Sequence, residues 1–363
     1  MAISAHRHAV RGLAAAAYNS GDWQLAAAAV AMGANDGIDL DLAGGWLQPA
    51  TVAERLNAAN STSLRSPSVI TSTSLEGTIR TMWSYAITKQ LMMIANHFGT
   101  EVTAQIGIST AYTHLLTYDE DWYGRHYSLG FTDRLVLHEI PFAKTEKVHF
   151  HVEENQIGFV EFGVVCDREI TNDGGTNTLA AFNAAVTIPS QLTVSPIYVT
   201  LANAVVRINA FSGGDVESAT ARTPSLIDLN FERSAERISS TTRGLIIDEP
   251  VGGNWRLVNG TIGFKRDEVV ADYAWMTART PLKMSVTISG GDAGSGNLYR
   301  YLFQYPHIVL DTAGLPKALN AQISKVDFKF EAERPLTDPT AMAFRDPRLT
   351  ITEQTTTNLR TSA

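Results

Sequence analysis

Alternation of apolar and polar side chains dominates this chain, and it predicts strands. Val326-Asp327-Phe328-Lys329-Phe330-Glu331 and Leu226-Ile227-Asp228-Leu229-Asn230-Phe231-Glu232-Arg233 alternate with period two, as half-buried strands do. Tyr112 to Tyr118, Leu135 to Ile140, Val148 to Val152 and Ile157 to Val165 alternate or run apolar over strand lengths, separated by Asp, Asn, Gly and Pro. Ile197 to Val206, Thr261 to Phe264, Leu282 to Ile288 and Tyr299 to Phe303 read the same way. Two segments carry helical spacing instead. Ile87 to Phe98 sets Leu91, Met92, Ile94, Ala95 and Phe98 on one face. It stops at Gly99, the residue type that most easily takes a left-handed C-terminal conformation. The second is Glu268 to Arg279.

The order of these elements repeats. Glu76-Gly77-Thr78-Ile79-Arg80 leads into the first helix and then a strand, and Asn259-Gly260-Thr261-Ile262-Gly263-Phe264 leads into the second helix and then a strand. The two Gly-Thr-Ile marks lie 183 positions apart in a chain of 363 residues, close to half its length. A three-residue match means little by itself, so the weight falls on the shared order of strand, short helix and strand. A chain of this length also exceeds what one core usually serves. The organisation expected is an N-terminal Ala-rich arm over residues 1–35, read as a short helix or irregular arm, and a first β domain over 36–170 that includes an extended loop. A linker over 171–180, a second β domain over 181–335 and a polar C-terminal extension over 336–363 complete it.

Composition narrows the partners. Hydrophobic residues make up 44% of the chain and charged residues 18%, so a core is affordable but the surface carries fewer charges than usual. Ser, Thr, Asn and Ala fill the difference, as on surfaces covered by other subunits or in an ordinary Thr-rich β protein, and composition does not separate the two. The net charge of −8 argues against a nucleic-acid binder, because no cations cluster to neutralise phosphates, although DNA could slide past an acidic wall without sticking. Cys166 is the one cysteine, which excludes an intrachain disulfide and a Cys-based zinc site, and its apolar neighbours predict a buried inert thiol. Arg7 and Arg11 precede an Ala-rich run that Asn19, Gly21 and Asp22 break, so neither a targeting segment nor a membrane span is expected.

Candidate chemistry is sparse. His149, His151 and Glu153 share one face of a predicted strand and could begin a metal site, but a third firm ligand and its supporting shell are not visible, so the expectation is a solvated or interface-facing strand side. Asp119-Glu120-Asp121 reads as a solvated loop tip rather than a tuned acid/base pair. Gly290 to Gly296 reads as a flexible hairpin loop, since no Gly-Lys-Ser/Thr follows it. No nucleophile elbow and no His-Glu-x-x-His helix occur. The expectation is a non-enzyme, with no catalytic, cofactor or metal residues assigned.

Taken together, the segments resemble the major tail tube proteins of long-tailed, siphovirus-like bacteriophages, in the large variant with two tube domains. The carriers are Glu76-Gly77-Thr78-Ile79 with the following helix and Phe98-Gly99-Thr100, then Tyr112-Thr113-His114-Leu115-Leu116-Thr117, Leu135-Val136-Leu137-His138-Glu139 and Val148 to Val152. In the second half they are Leu226 to Arg233, Asn259 to Phe264 and Pro281-Leu282-Lys283-Met284. The resemblance spans about residues 40–335 and leaves out the Ala-rich start and Thr-rich end.

It implies a mainly β fold with short helices, built as two tandem tail-tube-like β-sandwich or barrel domains, each with one packed helix. It further implies a structural virion protein, assembled in the host cytoplasm, that stacks as rings into the tail tube through which DNA is ejected. Three two-domain chains give a pseudo-sixfold ring, so the partners implied are other copies of the chain, most simply in trimeric rings, with tape-measure, tail-tip and tail-terminator proteins. DNA passes transiently through an acidic lumen, and no membrane is involved. Another virion β-protein, such as a capsid decoration or tail-tip component, is the alternative, and a secreted carbohydrate-binding β-sandwich a more distant one. Removing the last ~20 residues is expected to leave the domains folded but impair polymerisation.

Overall fold

The structure, a computed structural model, describes residues 13–21, 23, 29–38, 40, 47–55, 68–86, 88–119, 122–132, 136–171, 176–187, 198–237, 247–265, 270–313, 325–354 and 359. It is mainly β with short helices, as the alternation predicts. The first half contains β1 (Leu13–Asn19), β2 (Gly37–Ile38), β3 (Gln48–Arg55), β4 (Ser68–Met82), α1 (Thr88–Phe98), β5 (Gly99–Gln105) and β6 (Tyr112–Tyr118). It continues with β7 (His126–Thr132), β8 (Leu137–Glu153), β9 (Phe159–Cys166), β10 (Ile170–Thr171) and α2 (Leu179–Ala185). The second half contains β11 (Ala204–Ala210), β12 (Leu226–Glu236), β13 (Val251–Lys265), α3 (Val270–Thr277), β14 (Leu282–Gly294), β15 (Asn297–Ala313), β16 (Lys325–Ala332) and β17 (Arg348–Glu353). All 17 strands belong to one hydrogen-bonded sheet.

The two halves repeat one pairing scheme. In the first, neighbours run β1-β7-β8-β9-β4-β3, and in the second β11-β14-β15-β16-β13-β12. Four of the six matched pairs have equal lengths: β1 and β11 have seven residues each, β4 and β13 15, β8 and β15 17, and β9 and β16 eight, whereas β14 is longer than β7 and β12 longer than β3. The Gly-Thr-Ile marks occupy equivalent places, because Ile79 of β4 pairs with Phe162 of β9 and Ile262 of β13 with Phe328 of β16. The β5–β6 hairpin, placed between α1 and β7, has no counterpart between α3 and β14. Among the described residues, two antiparallel strand pairings, β8 with β12 and β6 with β17, and an isolated bridge, Ser84 with Tyr198, join the halves.

Several expectations need correction. The Ala-rich start is neither helix nor loose arm where the structure describes it. Ala15, Ala16 and Ala17 are buried in β1, zipped to β7 from Leu13↔Thr132 to Asn19↔His126. Tertiary pairing overrides the helix propensity of alanine. The two strands expected at 135–140 and 148–152 are one bent strand, β8. Pro141 does not end it, because the β7–β8 register shifts there, and the Pro141 carbonyl accepts hydrogen bonds from Asn19 and Ser128. The extended segment 36–75 contributes β2, β3 and the start of β4.

Of the expected linker, residues 172–175 lie outside the described residues, but Asn177 is buried and hydrogen-bonded to Glu139, Val30 and Met32, and Thr178 caps a third helix, α2. Within the C-terminal extension lies β17, which pairs with both β15 and β6. Gly290 to Gly294 continue β14, and only Ser295-Gly296 turn the chain.

One main core serves both halves. The sheet folds back on itself, so β8 and β12 face β15 without hydrogen-bonding to it. Phe150 of β8 meets Phe303 of β15 edge-on with ring centroids 5.0 Å apart, and Phe231 of β12 stacks on Phe303 at 5.9 Å. Trp83 packs on Phe150 and on Tyr301, whose hydroxyl donates to the Ser84 carbonyl at 2.6 Å. Each buried ring contributes roughly 1.5–3 kcal/mol by leaving water. Helix α1 closes this core with Leu91, Met92, Ile94, Ala95 and Phe98, all fully or almost fully buried, and its next residue Gly99 takes φ +93°. It is this left-handed backbone that requires glycine at position 99.

Candidate functional site

Period-two alternation leaves the other face of the joined sheet polar. Glu161 of β9, Lys147, His149, His151 and Glu153 of β8, and Asp228, Asn230 and Glu232 of β12 all lie on it, because their neighbours Val148, Phe150, Val152, Val160, Phe162, Ile227, Leu229 and Phe231 face the core. The seam between the halves runs through this face. His151 of β8 is the register partner of Asp228 of β12, and His149 is the partner of Asn230.

At that seam His149, His151 and Asp228 converge. Asp228 Oδ2 lies 3.1 Å from His149 Nε2 and 2.8 Å from His151 Nδ1. The other ring nitrogen of His151, Nε2, lies 3.5 Å from Glu153 Oε1. Phe159 stacks on the His151 ring at 4.8 Å and meets the His149 ring edge-on at 5.9 Å. Burial opposes ionisation of Asp228, but the hydrogen bonds and charge of the two histidines outweigh it and hold its carboxyl well below the usual carboxylate range. His149 and His151 were visible in the sequence as a same-face pair. Asp228 was not, since it is 77 residues from His151 and reaches it only through the β8–β12 pairing.

Farther along the same face, a cleft of about 500 Å³ opens between β4, β8 and β12. Arg237 bridges its carboxylates, 2.5 Å from Glu76 and 3.1 Å from Glu146. Burial pushes the Glu146 carboxyl up, against the pull of Arg237. Arg80 lies over the Phe159 ring at 3.5 Å.

Protein-family models and curated proteins offer no match to the chain. Its role therefore rests on its own geometry.

The remaining sequence candidates are placed as follows. Asp119 accepts a hydrogen bond from Thr100 at 3.1 Å and is ion-paired with Arg125, while Glu120 and Asp121 lie outside the described residues. Cys166 is buried, and burial pushes its thiol up. Gly290 faces the Tyr85 ring, 2.7 Å from where a Cβ would stand. No helix among the described residues is long and apolar enough to cross a membrane.

Three buried charged groups escaped the sequence reading: Glu101, His114 and Glu353, brought together by β5, β6 and β17. Lys144 and Glu249 form a second buried pair, at 2.5 Å, that links β8 to the segment before β13. Nothing in the sequence spacing marks either set.

Proposed function

We propose that this chain is a structural, self-assembling protein that forms stacked rings, as the tail tube of a long-tailed bacteriophage does, and that its role is conduit wall rather than catalyst. The observation that carries this reading is the repeat of one strand-pairing scheme in both halves, joined strand to strand at β8 and β12 into a single sheet with one polar face. A duplicated unit whose two copies pair edge to edge is already one third of a six-unit ring. The same joint made between chains continues it.

The repeat also says which edges would meet. In the pairing scheme β15 stands where β8 does, and β3 stands where β12 does. Among the described residues, β3 pairs only with β4, and residues 309–313 of β15 only with β16. The end of β15 in one chain would therefore receive β3 of the next, as β8 receives β12 within the chain. Three chains joined in this way close the ring, and its polar sheet face, carrying Glu153, Glu161, Asp228 and Glu232, suits a wall past which DNA moves without adhering.

Negative-stain electron microscopy of the concentrated protein, with particle mass measured alongside, tests this reading. Hollow tubes, or rings with the mass of three chains, are the expected result. A monodisperse monomer at all concentrations, even with tail-tip nucleator present, overturns it and favours a capsid decoration protein, the second reading, which needs no ring closure.

A further inference from the structure

The geometry points to a transition-metal site at the seam, with His149, His151 and Asp228 as ligands and Zn²⁺ as the fitting ion. It stands on the three side chains alone and does not depend on the assembly reading.

Ligand atoms of the three residues lie within 4.8 Å of one another. Two of the separations, 3.1 Å and 2.8 Å to Asp228 Oδ2, are already near the spacing of roughly 3.4 Å that tetrahedral ligands adopt around zinc at about 2.1 Å each. A small outward rotation of the two rings suffices to admit the ion. The donor set decides the class of metal. Two imidazole nitrogens and one carboxylate suit zinc, cobalt or nickel, whereas calcium and magnesium demand oxygen cages. With three protein ligands, water completes the coordination, as in open zinc sites.

The surroundings supply the support that two histidines on a strand lack in sequence. Glu153 stands 3.5 Å from His151 Nε2, the nitrogen opposite the one facing Asp228, so it can hold the ring in the tautomer that presents Nδ1 to a metal. Phe159 stacks on the same ring and restricts its rotation. Side-chain exposures of 22%, 20% and 31% for His149, His151 and Asp228 leave a path for an ion from solvent. Since His149 and His151 belong to β8 and Asp228 to β12, a bound ion would clamp the two halves across their shared strand pair.

The competing account is a hydrogen-bonded cluster in which protonated imidazoles satisfy Asp228 without a metal. Isothermal titration of ZnCl₂ into the untagged full-length chain, with CoCl₂ absorption spectra and thermal melts with and without EDTA, separates the two. The expected result is about one Zn²⁺ per chain, a tetrahedral Co²⁺ spectrum and a melting temperature raised by Zn²⁺. His149→Ala, His151→Ala and the near-isosteric Asp228→Asn should each abolish the binding. Glu153→Gln, as a positioning change, should weaken it by roughly tenfold or more while leaving the melt in EDTA unchanged. Circular dichroism in EDTA identifies any variant that fails to fold, and Asp228→Asn keeps the test open if a histidine variant does. Absence of binding to the wild-type chain, or undiminished binding by folded Asp228→Asn, overturns the site.

Discussion

His114 Nε2 lies 2.9 Å from Glu353 Oε1, an ion pair that ties β6 of the first half to the last described strand of the chain. On its other side, His114 Nδ1 lies 2.8 Å from Glu101 Oε1, and that oxygen also accepts the backbone N–H of Leu359 at 2.8 Å. The imidazole is thus charged between two carboxylates, with all three side chains almost fully withdrawn from water. Burial opposes the charge, but the two carboxylates outweigh it and raise the His114 pKa to about 9.

The sign of the resulting pH dependence follows from linkage. His114 titrates near 6.5 when unfolded. Its stabilising contribution is therefore complete below about pH 6.5 and disappears as pH rises through about 9. Thermal melts from pH 6.5 to 9.5 should show the wild-type protein losing stability over that interval, and His114→Gln should flatten the curve. Equal slopes for the two proteins would show that the triad does not carry the charge.

Lys144 and Glu249 form the deepest cross-half pair. The Lys144 ammonium also donates to the Trp122 and Pro250 carbonyls, at 2.8 Å and 3.0 Å. Glu249→Gln removes the carboxylate charge 2.5 Å from the buried Lys144 ammonium, which should cost about 3–5 kcal/mol. Urea unfolding measures it, and a loss under about 1 kcal/mol would mean that water reaches the site.

Deleting the last twenty residues now carries a different expectation from the one the sequence suggested. The cut removes β17, with Leu349 and Ile351 fully buried between β15 and β6. Such a truncation should unfold part of the sheet rather than merely block assembly. Leu349→Ala should by itself cost about 2–5 kcal/mol. A native-like melting curve for the truncated chain would contradict this.

Gly260 sits in β13 between β12 and β16, and a Cβ there would lie 2.8 Å from the Phe330 ring and also against the Asp228 carbonyl. Gly260→Ala should destabilise by about 1–3 kcal/mol through overpacking. Because that Cβ would press on the backbone carbonyl of Asp228, the same variant should weaken Zn²⁺ binding, which titration would reveal.

Much of the strand content was legible. Val326 to Glu331 and Leu226 to Arg233 announce β16 and β12 because side-chain alternation is a local consequence of the pleat. Ile87 to Phe98 announces α1 in the same way. Less legible were β1, whose alanines favour helix until β7 pairs with them, and β7 itself, whose His126-Tyr127-Ser128-Leu129-Gly130 run includes polar residues that find buried partners only in the fold. The metal candidate divides similarly. Its two histidines are visible from period two, whereas Asp228 is indistinguishable from any other polar residue on an alternating strand.

The sequence by itself determined which positions face a core and which face away, and that two Gly-Thr-Ile marks precede a helix and a strand, since both are patterns between near neighbours along the chain. Only the tertiary structure decided that the halves share one sheet and one main core, that the last strand returns to β6, and that His114, Lys144 and Asp228 meet their partners. Those facts depend on pairings between strands far apart in sequence, such as β8 with β12 and β6 with β17, and register between distant strands is set by the whole packed core rather than by any local pattern.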